Sequence, residues 1–567
     1  MNKETAKKIR NITILLYQKI KYIIRTPLSR FDVAMLGSII SFVFFNGFIF
    51  LERIANPKAD LLFTVSEPFV VILITFIFFY VFTQIKIAFR IIVFLFFLTS
   101  AIFAFCMYSM NIVLDQMMMI TIFATDTGET GELVNSEMVV KMVAWAFIPL
   151  MFSLFIKFKK ERDFSLKAFK RPIFTILIIA IIPVLLGRTK IYEEDNMKIL
   201  VYAYLPYNYT NAVSRYFMKT RESLKIVEDK INLFNEYDFE LDDNRNEDII
   251  FVLVIGESAR RHNFTINGYE RNTNPRLGNI DNIVSYQTAI SCSRFTQYSV
   301  PCIMVRTENN EFKFPMKETS MINILRGLGF DTYWLDIQGA FSSNAMPIFQ
   351  IASEAHEQIF RQKLRAKLPS NTKLLDEHLL PLIDSALENE ERGDRKFIVL
   401  HTAGSHYDYD DRYTEEFKEF QPICGGRGVS KCSKQEIINS YDNSIVYTDY
   451  FLAEIIERLK KKNAVMIYVS DHAESLGEDG VFLHGTDKHT NRPEQFEIPL
   501  IFWASDKFLK DEKNRKMFDN IKEKAVQKIE TSHDNIFHSV LDCIGVESDV
   551  IDKEMSLCSS ITSEVES

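Results

Sequence analysis

The sequence predicts two parts: an α-helical membrane domain of about five spans and an α/β domain built on a doubly wound sheet. The first prediction rests on long apolar stretches that fill the first third of the 567-residue chain. The second rests on three short runs rich in Val and Ile in the second half, namely DIIFVLVI, FIVLHTAG and AVMIYVS. Such runs, bounded by turn residues and separated by helical stretches, are typical of buried parallel strands.

Several of the apolar stretches reach the roughly 20 residues that a helix needs to cross a bilayer. They lie at about 32–52, 61–83, 91–110, 141–156 and 172–187, and the last is the shortest. A soluble, all-helical core is the alternative, but it would need Phe and Ile on every face of the helices. We therefore expect residues 1–187 to form a five-helix transmembrane domain.

Charges in the connecting segments predict the orientation of these spans. Lys and Arg crowd the segment before residue 31, the link 86–90 and the link 157–171, whereas the loop 111–138 is acidic. Because basic loops remain in the cytoplasm, the N-terminus is expected inside and everything after about residue 188 outside. The first apolar run is too long for a cleavable signal peptide, so the first span is expected to serve as the insertion signal.

A bridge of residues 188–245 separates the two predicted domains. Its segment NAVSRYFMKTRESLKIVEDKINLF has helical periodicity with mixed charge, and the acidic segment ELDDNRNED follows. We expect a helix along the membrane and then a linker, with the outer domain at 246–567. The net charge of −8, with no basic stripe in the outer domain, argues against a nucleic-acid partner.

Residues fit to hold a metal follow each of the three predicted strands. Glu257 comes after DIIFVLVIG, His406 after FIVLHTAGS, and the pair Asp471-His472 after AVMIYVS. Ligands of doubly wound sheets bind at the carboxyl ends of the strands, which is where these side chains are expected to lie. The shared position predicts one metal site built by one sheet.

The seven cysteines agree with an outer domain in an oxidising compartment. Cys106 lies in a predicted span, whereas Cys292 with Cys302 and Cys424 with Cys432 are closely spaced in loop-like sequence. The four loop cysteines allow three pairings, of which we favour the sequence-adjacent one, Cys292–Cys302 and Cys424–Cys432. Free thiols or a zinc knuckle are the alternatives, and a Cys543–Cys558 pair remains open.

The segment SCSRFTQYSVPC supplies a candidate nucleophile, Thr296, between two cysteines that would pin its loop. With GESARRHNFTINGYERNTNP, INSYDNSIVYTD, YVSDHAESLGEDGVFLHG and SHDNIFHSVL, this segment resembles the phosphoethanolamine transferases of Gram-negative inner membranes. These form a branch of the alkaline phosphatase and sulfatase superfamily that includes the mobile colistin resistance enzymes. The resemblance covers nearly the whole chain and implies an alkaline phosphatase-like, or sulfatase-like, outer domain.

The resemblance also implies roles for individual residues. The metal ligands of the family fall on Glu257, Thr296, Asp471 and His472. Three oxygens and one nitrogen suit one tightly bound zinc, although carboxylate-rich ligation would also suit manganese. His406 and His484 would assist the leaving group, contact phosphate or bind a second zinc during catalysis. The alternative is that both are loop histidines bonded to backbone.

Two regions depart from the family pattern. Many relatives carry Asn, Thr and Glu at four-residue intervals facing the lipid substrate, and here the positions are Thr121, Thr125 and Glu129. The resemblance thus implies substrate contacts at Thr125 and Glu129. After DTYWLDIQG, Gln338 and a serine at 342–343 stand where the colistin resistance enzymes have Asn and Lys, so acceptor contacts are expected to differ.

The resemblance implies a monomeric inner-membrane enzyme with a periplasmic catalytic domain. It would move phosphoethanolamine from phosphatidylethanolamine through a covalent phosphothreonine to lipid A or a lipopolysaccharide core sugar or phosphate, and release diacylglycerol. The added ammonium group would weaken attraction of cationic peptides such as polymyxin.

Three other functions are alternatives. A sulfatase would need an Arg that the segment Ser299-Val300-Pro301-Cys302-Ile303 lacks. A phosphoglycerol transferase of the lipoteichoic acid synthase type also joins five spans to a domain with a Thr nucleophile. A non-enzymatic membrane scaffold would have no reason to keep the ligands and the nucleophile together.

Overall fold

A computed structural model gives the structure of the chain. It describes residues 26–55, 61–110, 114–124, 136–159, 202–241, 247–307, 309–338, 345–369, 372–426, 431–485 and 492–560. The chain forms two compact units, the first made of Met1–Asp115 with Val134–Ser214 and the second of Gln116–Leu133 with Arg215–Ser567. The domain boundaries after residues 187 and 245 stay predictions.

The first unit is helical. Its elements are α1 (Arg30–Ser41), a π-helical turn (Phe42–Asn46), α2 (Gly47–Ala55), α3 (Leu61–Phe82) and α4 (Lys86–Met110). After α5 (Gln116–Ala124), which belongs to the second unit, follows α6 (Ser136–Phe155). Ser29 and Asp32 form a reciprocal capping box that fixes the start of α1.

Among the described residues of this unit, three helical segments are long and apolar enough to cross a membrane: Arg30–Ala55, Phe63–Phe82 and Ile87–Tyr108. Val139–Phe155 is a shorter apolar helix. These coincide with four of the five predicted spans. The fifth stretch, 172–187, lies outside the described residues.

A buried ionic cluster lies within the first unit. The Arg53 guanidinium pairs with the buried Glu67 carboxylate, which also accepts a hydrogen bond from the Tyr204 hydroxyl. Because an unpaired charge among apolar helices is costly, this pairing is what allows Glu67 to lie there.

The second unit is organised by a seven-stranded sheet with the order β3-β11-β8-β2-β7-β5-β6. Its strands are β2 (Ile250–Gly256), β3 (Ile283–Tyr286), β5 (Asp331–Asp336), β6 (Glu357–Ile359), β7 (Lys396–His401), β8 (Ala464–Ser470) and β11 (Leu500–Ala504). Strands β8, β2, β7, β5 and β6 run parallel, while β11 is antiparallel to β8 and β3. The three predicted strands thus form the adjacent triplet β8-β2-β7.

The remaining strands are short: β1 (Glu240–Leu241), β4 (Ala289–Ile290), β9 (Ser475–Glu478), β10 (Val481–Leu483), β12 (Thr531–Ser532) and β13 (Val546–Glu547). Besides α5, the described helices of this unit are α7 (Tyr207–Asp229, beginning in the first unit), α8 (Leu233–Glu236), α9 (Thr296–Met304), α10 (Met321–Gly327), α11 (Pro347–Ala352), α12 (Arg361–Arg365), α13 (Leu380–Glu388), α14 (Lys434–Leu459), α15 (Glu512–Val526) and α16 (Asp534–Ile544). The triplet β8-β2-β7 is buried along its whole length, so it is a rigid platform for the loops at its carboxyl end.

Three disulfides link Cys292 to Cys302, Cys424 to Cys432 and Cys543 to Cys558. The first two are the predicted pairs, and the third is the pair that the sequence left open. Cys106 is a free thiol.

Candidate active site

Sheet register brings the residues after β2 and β8 side by side. Gly256 at the end of β2 is paired with Ser470 at the end of β8, so Glu257 and Asp471 follow at the same level. A side chain at Gly256 would not fit, because its Cβ would lie 2.5 Å from the buried Tyr468 hydroxyl. The glycine therefore lets β2 approach Tyr468 just before the chain presents Glu257.

Glu257, Asp471 and His472 form a buried group of possible metal ligands whose donor atoms lie within 4.8 Å of one another. His472 Nε2 is 3.5 Å from Glu257 Oε1 and 3.4 Å from Asp471 Oδ2. Neither Asp471 Oδ2 nor His472 Nε2 makes a hydrogen bond with the described residues. His472 Nδ1 lies 3.1 Å from the Ala473 carbonyl, which suits a proton on Nδ1 and leaves Nε2 as a donor atom for a metal.

Thr296 joins this group from a separate element. It is the first residue of α9, and its Oγ1 donates a hydrogen bond to Glu257 Oε2 at 3.1 Å. The Cys292–Cys302 disulfide ties the preceding loop to α9 and so restricts where Thr296 can lie. The neighbouring serines are engaged within the loop, since Ser299 Oγ donates to the Ser293 carbonyl and Ser293 Oγ accepts from the Phe295 amide.

The pKa values of the two carboxyl groups are shifted in opposite directions. The pKa of Asp471 is raised well above its usual range by burial and by the adjacent Glu257 carboxylate. The pKa of Glu257 is lowered: burial raises it, but His472, His406 and His484 outweigh that effect. Asp471 therefore retains its proton to higher pH than a free aspartate does, and a bound metal would compete with that proton.

His406 lies in the loop after β7, which packs against the Glu257 backbone. The Ser405 amide donates to the Glu257 carbonyl at 2.9 Å, and Gly404 (φ +47°) would place any Cβ 2.7 Å from that carbonyl oxygen. Burial lowers the pKa of His406 to about 4, so its imidazole is neutral at physiological pH.

His484 is brought against the metal-ligand group from the end of β10. Its ring centroid lies 4.2 Å from that of His472, and its Nδ1 is 3.5 Å from the fully buried Glu474 carboxylate. The pKa of His484 is lowered by burial and by His472. The Glu474 carboxylate therefore lies beside the ring of His484 on the side away from solvent.

Two contacts to Glu257 were not foreseen from the sequence. Ser258 Oγ donates to Glu257 Oε1 at 2.7 Å, and the Gln338 side-chain amide donates to Glu257 Oε2. Gln338 follows the parallel strand β5, so the strand-end rule that located Glu257 and Asp471 could also have located it.

The predicted lipid-contacting residues Thr125 and Glu129 lie outside the described residues. Thr121 is on α5, where its Oγ1 donates to the Met117 carbonyl at 3.2 Å. This helix packs against α9, the helix that begins with Thr296. The second unit thus includes a segment between the predicted spans together with α9.

Comparison with known families matches this geometry. A family model described as Sulfatase matches residues 250–546, a range that contains Glu257, Thr296, His406, the pair Asp471-His472 and His484. The chain belongs to the sulfatase family. A second model, "Phosphoethanolamine transferase EptA/EptB", matches residues 71–221 and confirms the resemblance read from the motifs.

Two relatives whose names state an activity match this chain, one over most of its length and the other over less than half of it. The Kdo(2)-lipid A phosphoethanolamine 7''-transferase of Escherichia coli strain K12 is 28% identical over 538 residues, covering 89% of this chain and 92% of that protein. Phosphatidylethanolamine transferase Mcr-1 of Escherichia coli is 34% identical, covering 45% of this chain and 48% of that protein.

Solved structures show the same fold. The integral membrane protein lipooligosaccharide phosphoethanolamine transferase A (EptA) from Neisseria meningitidis superposes with a TM-score of 0.80 and 24% identity, covering 94% of this sulfatase-family chain and 99% of that chain. The soluble domain of the same transferase gives a TM-score of 0.51 and 29% identity, covering 58% and 97% of the two chains. A membrane domain joined to a sulfatase-like domain is thus the architecture of this chain.

Proposed function

We propose that this protein is a zinc-dependent transferase that moves phosphoethanolamine from phosphatidylethanolamine to lipid A or another lipopolysaccharide acceptor. The observation that carries the proposal is the hydrogen bond from Thr296 Oγ1 to Glu257, within the group that also holds Asp471 and His472. A hydroxyl beside a cluster of metal ligands is the arrangement that nucleophilic catalysis of phosphoryl transfer needs. The relatives named for this activity support the substrate pair.

We place the enzyme in the inner membrane as a monomer with five spans and a periplasmic catalytic domain. The apolar helices of the first unit, the EptA-like fold and the disulfides of the second unit support this placement. A membrane anchor suits the chemistry, because the donor and the acceptor are both lipids and tethering raises their effective concentration.

Zinc is the metal that the donor set fits best. Glu257, Asp471 and Thr296 offer oxygens and His472 offers Nε2, a four-ligand set typical of zinc, with manganese as the weaker alternative. A bound divalent cation would supply the positive charge that favours ionisation of the Thr296 hydroxyl and stabilises the phosphoryl oxygens.

The reaction consists of two in-line displacements at phosphorus. Thr296 Oγ forms a bond to the phosphorus of phosphatidylethanolamine, the bond to the diacylglycerol oxygen breaks, and phosphoethanolamine remains on Thr296. An acceptor oxygen then attacks the same phosphorus from the vacated side, and the bond to Thr296 breaks.

We assign the proton transfers of both half-reactions to the imidazoles of His406 or His484. Both imidazoles are neutral at physiological pH, since burial lowers the pKa of each. A neutral imidazole can take the Thr296 proton and return it to the departing diacylglycerol alkoxide, and the reverse exchange serves the acceptor step. The proton therefore starts on Thr296 and ends on diacylglycerol in the first half-reaction.

The test is intact-protein mass spectrometry of the full chain after incubation with phosphatidylethanolamine alone. One added phosphoethanolamine, located by fragmentation to Thr296, is expected, and Thr296→Ala should release no diacylglycerol because both half-reactions pass through that oxygen. Ser299→Ala is the matched control, since its hydroxyl lies on the same helix, α9, and donates to the Ser293 carbonyl. Diacylglycerol release by Thr296→Ala at the wild-type rate, or an adduct on Ser293, would overturn the assignment.

The same assay separates the rival reactions. Phosphatidylglycerol in place of phosphatidylethanolamine tests the phosphoglycerol transferase, and an aryl sulfate tests the sulfatase. Mass spectrometry of lipopolysaccharide from cells with and without the protein then identifies the acceptor and the modified position. No added phosphoethanolamine on any envelope glycolipid would refute the proposed acceptor class.

A further inference from the structure

Two hydrogen bonds hold the backbone of Gln338, which lies just beyond the end of strand β5. Its amide nitrogen donates to Asp336 Oδ1 at 2.9 Å, and its carbonyl accepts from the Arg361 guanidinium at 3.0 Å. Both ends of the residue are therefore anchored before its side chain makes any contact.

Asp336 is itself fixed by two ring donors. Its Oδ2 accepts from Trp334 Nε1 at 3.2 Å and contacts His401 Nδ1 at 2.7 Å. All three side chains are buried, so Asp336 has little freedom to rotate. The support of Gln338 therefore extends to β7, which carries His401 at its end.

The side chain of Gln338 spans from this anchor to the candidate metal ligand. Only 8% of the residue is exposed, and its Nε2 donates to Glu257 Oε2, the oxygen that also accepts from Thr296. A glutamine can present a donor to a carboxylate without adding charge, whereas a glutamate at this position would repel it.

The hydrogen bonds leave one direction of the Glu257 carboxylate available. A carboxylate offers about four lone-pair sites. Oε2 accepts from Gln338 and Thr296, and Oε1 accepts from Ser258. The remaining site is on Oε1, which is also the oxygen 3.5 Å from His472 Nε2.

We infer that Gln338 is a positioning residue that fixes the rotation of the Glu257 carboxylate and so directs Oε1 toward the metal. The inference rests on the metal centre of the proposed function and adds to it a residue outside the ligand set. Glu257 is held from one side by Ser258 and from the other by Gln338. Removal of the Gln338 donor frees the carboxylate to rotate, and a ligand that must be ordered on binding holds a metal less tightly.

The experiment measures zinc affinity of the full chain in detergent by competition with a chromophoric chelator. Gln338→Met keeps the length of the side chain and removes its hydrogen bonds, and we expect zinc binding to weaken by about 10- to 100-fold. Gln350→Met is the matched control, because Gln350 is 7% exposed and bonds Ser223 rather than a metal ligand. The control should bind zinc as the wild type does.

Two further readouts separate positioning from a general effect on folding. The thermal midpoint of the zinc-free protein should not fall in Gln338→Met, whereas a purely structural role would lower it. In the Co²⁺-loaded protein, the visible absorption bands should shift in Gln338→Met and stay unchanged in Gln350→Met. Gln338→Asn, which keeps the amide but shortens its reach, should also weaken zinc binding and serves if the first variant does not fold.

Zinc affinity of Gln338→Met and Gln338→Asn equal to the wild type would overturn the inference and leave the proposed function intact. A raised KM for phosphatidylethanolamine with unchanged zinc affinity would overturn it as well, because it would place Gln338 on the substrate. A wild-type chain that binds no zinc would overturn the proposed metal centre and this inference together.

Discussion

The exchange of Asp471 for Asn should separate the stability of the catalytic domain from its capacity to bind metal. The substitution keeps the size of the side chain and removes its ability to ionise. Glu257 and Asp471 are both buried, and their ligand atoms lie within 4.8 Å of each other. Two unit charges at that distance repel by about 3 kcal/mol at an effective dielectric constant of about 20.

The sign of the effect follows from where the proton resides. Burial and the Glu257 charge raise the pKa of Asp471 well above its usual range, so the folded protein keeps a proton that the unfolded chain releases above about pH 4. The free energy of unfolding of the zinc-free wild type should therefore fall as pH rises from about 4 toward the folded-state pKa. Asp471→Asn removes this fall and should stabilise the zinc-free protein by about 1–3 kcal/mol at neutral pH.

Zinc should reverse the order of the two proteins. At a zinc concentration of 1,000 times Kd, the wild type should gain about 4.1 kcal/mol, which exceeds the advantage of the zinc-free variant, and the variant should gain nothing. Thermal unfolding in detergent at mildly acidic and neutral pH, with chelator and with zinc, measures both effects. Asp442→Asn is the control, because it removes the buried partner of Arg271 and should lower stability while leaving zinc affinity unchanged. Zinc-free Asp471→Asn that is less stable than the wild type at neutral pH, or that still gains stability from zinc, would refute the reasoning.

Three other predictions concern the surroundings of the site. The double variant Cys292→Ser with Cys302→Ser should have a free energy of unfolding lower by about 3 kcal/mol, because the disulfide no longer restricts the unfolded chain; thermal unfolding measures this. The same variant should form the adduct on Thr296 more slowly, which intact-protein mass spectrometry measures. Gly256→Ala should lower the free energy of unfolding by about 1–3 kcal/mol, because the added methyl group overpacks against Tyr468. Adding Tyr468→Phe should restore part of that free energy, and a double-mutant cycle in which the two losses simply add would contradict this. Burial lowers the pKa of His533 to about 4, so the free energy of unfolding of the wild type should fall by up to about 3 kcal/mol as pH drops from about 6.5 to 4. The free energy of unfolding of His533→Gln should depend less steeply on pH over this range. An unchanged slope in the variant would contradict the assignment.

The strands that carry the site could be predicted because their signal is local. The runs before Glu257 and Asp471 are continuous and apolar, which in a short segment indicates a strand buried on both faces. The same runs place their following residues at one edge of the sheet, and Gly256 and Ser470 are indeed paired there. The helical segments of the first unit could also be predicted from the sequence, since length and hydropathy alone define a candidate membrane span.

Sequence patterns alone were enough to predict the two-part architecture, the three parallel strands that are followed by the candidate ligands, and the family to which the motifs belong. These follow from hydrophobic runs and short motifs, each contained within a few consecutive residues. Three-dimensional packing was needed to show that Gln338 contacts Glu257, that Cys543 pairs with Cys558, and that burial beside Glu257 raises the pKa of Asp471. Those outcomes depend on distances and burial between residues far apart in the chain, which the order of amino acids does not state until the sheet has brought them together.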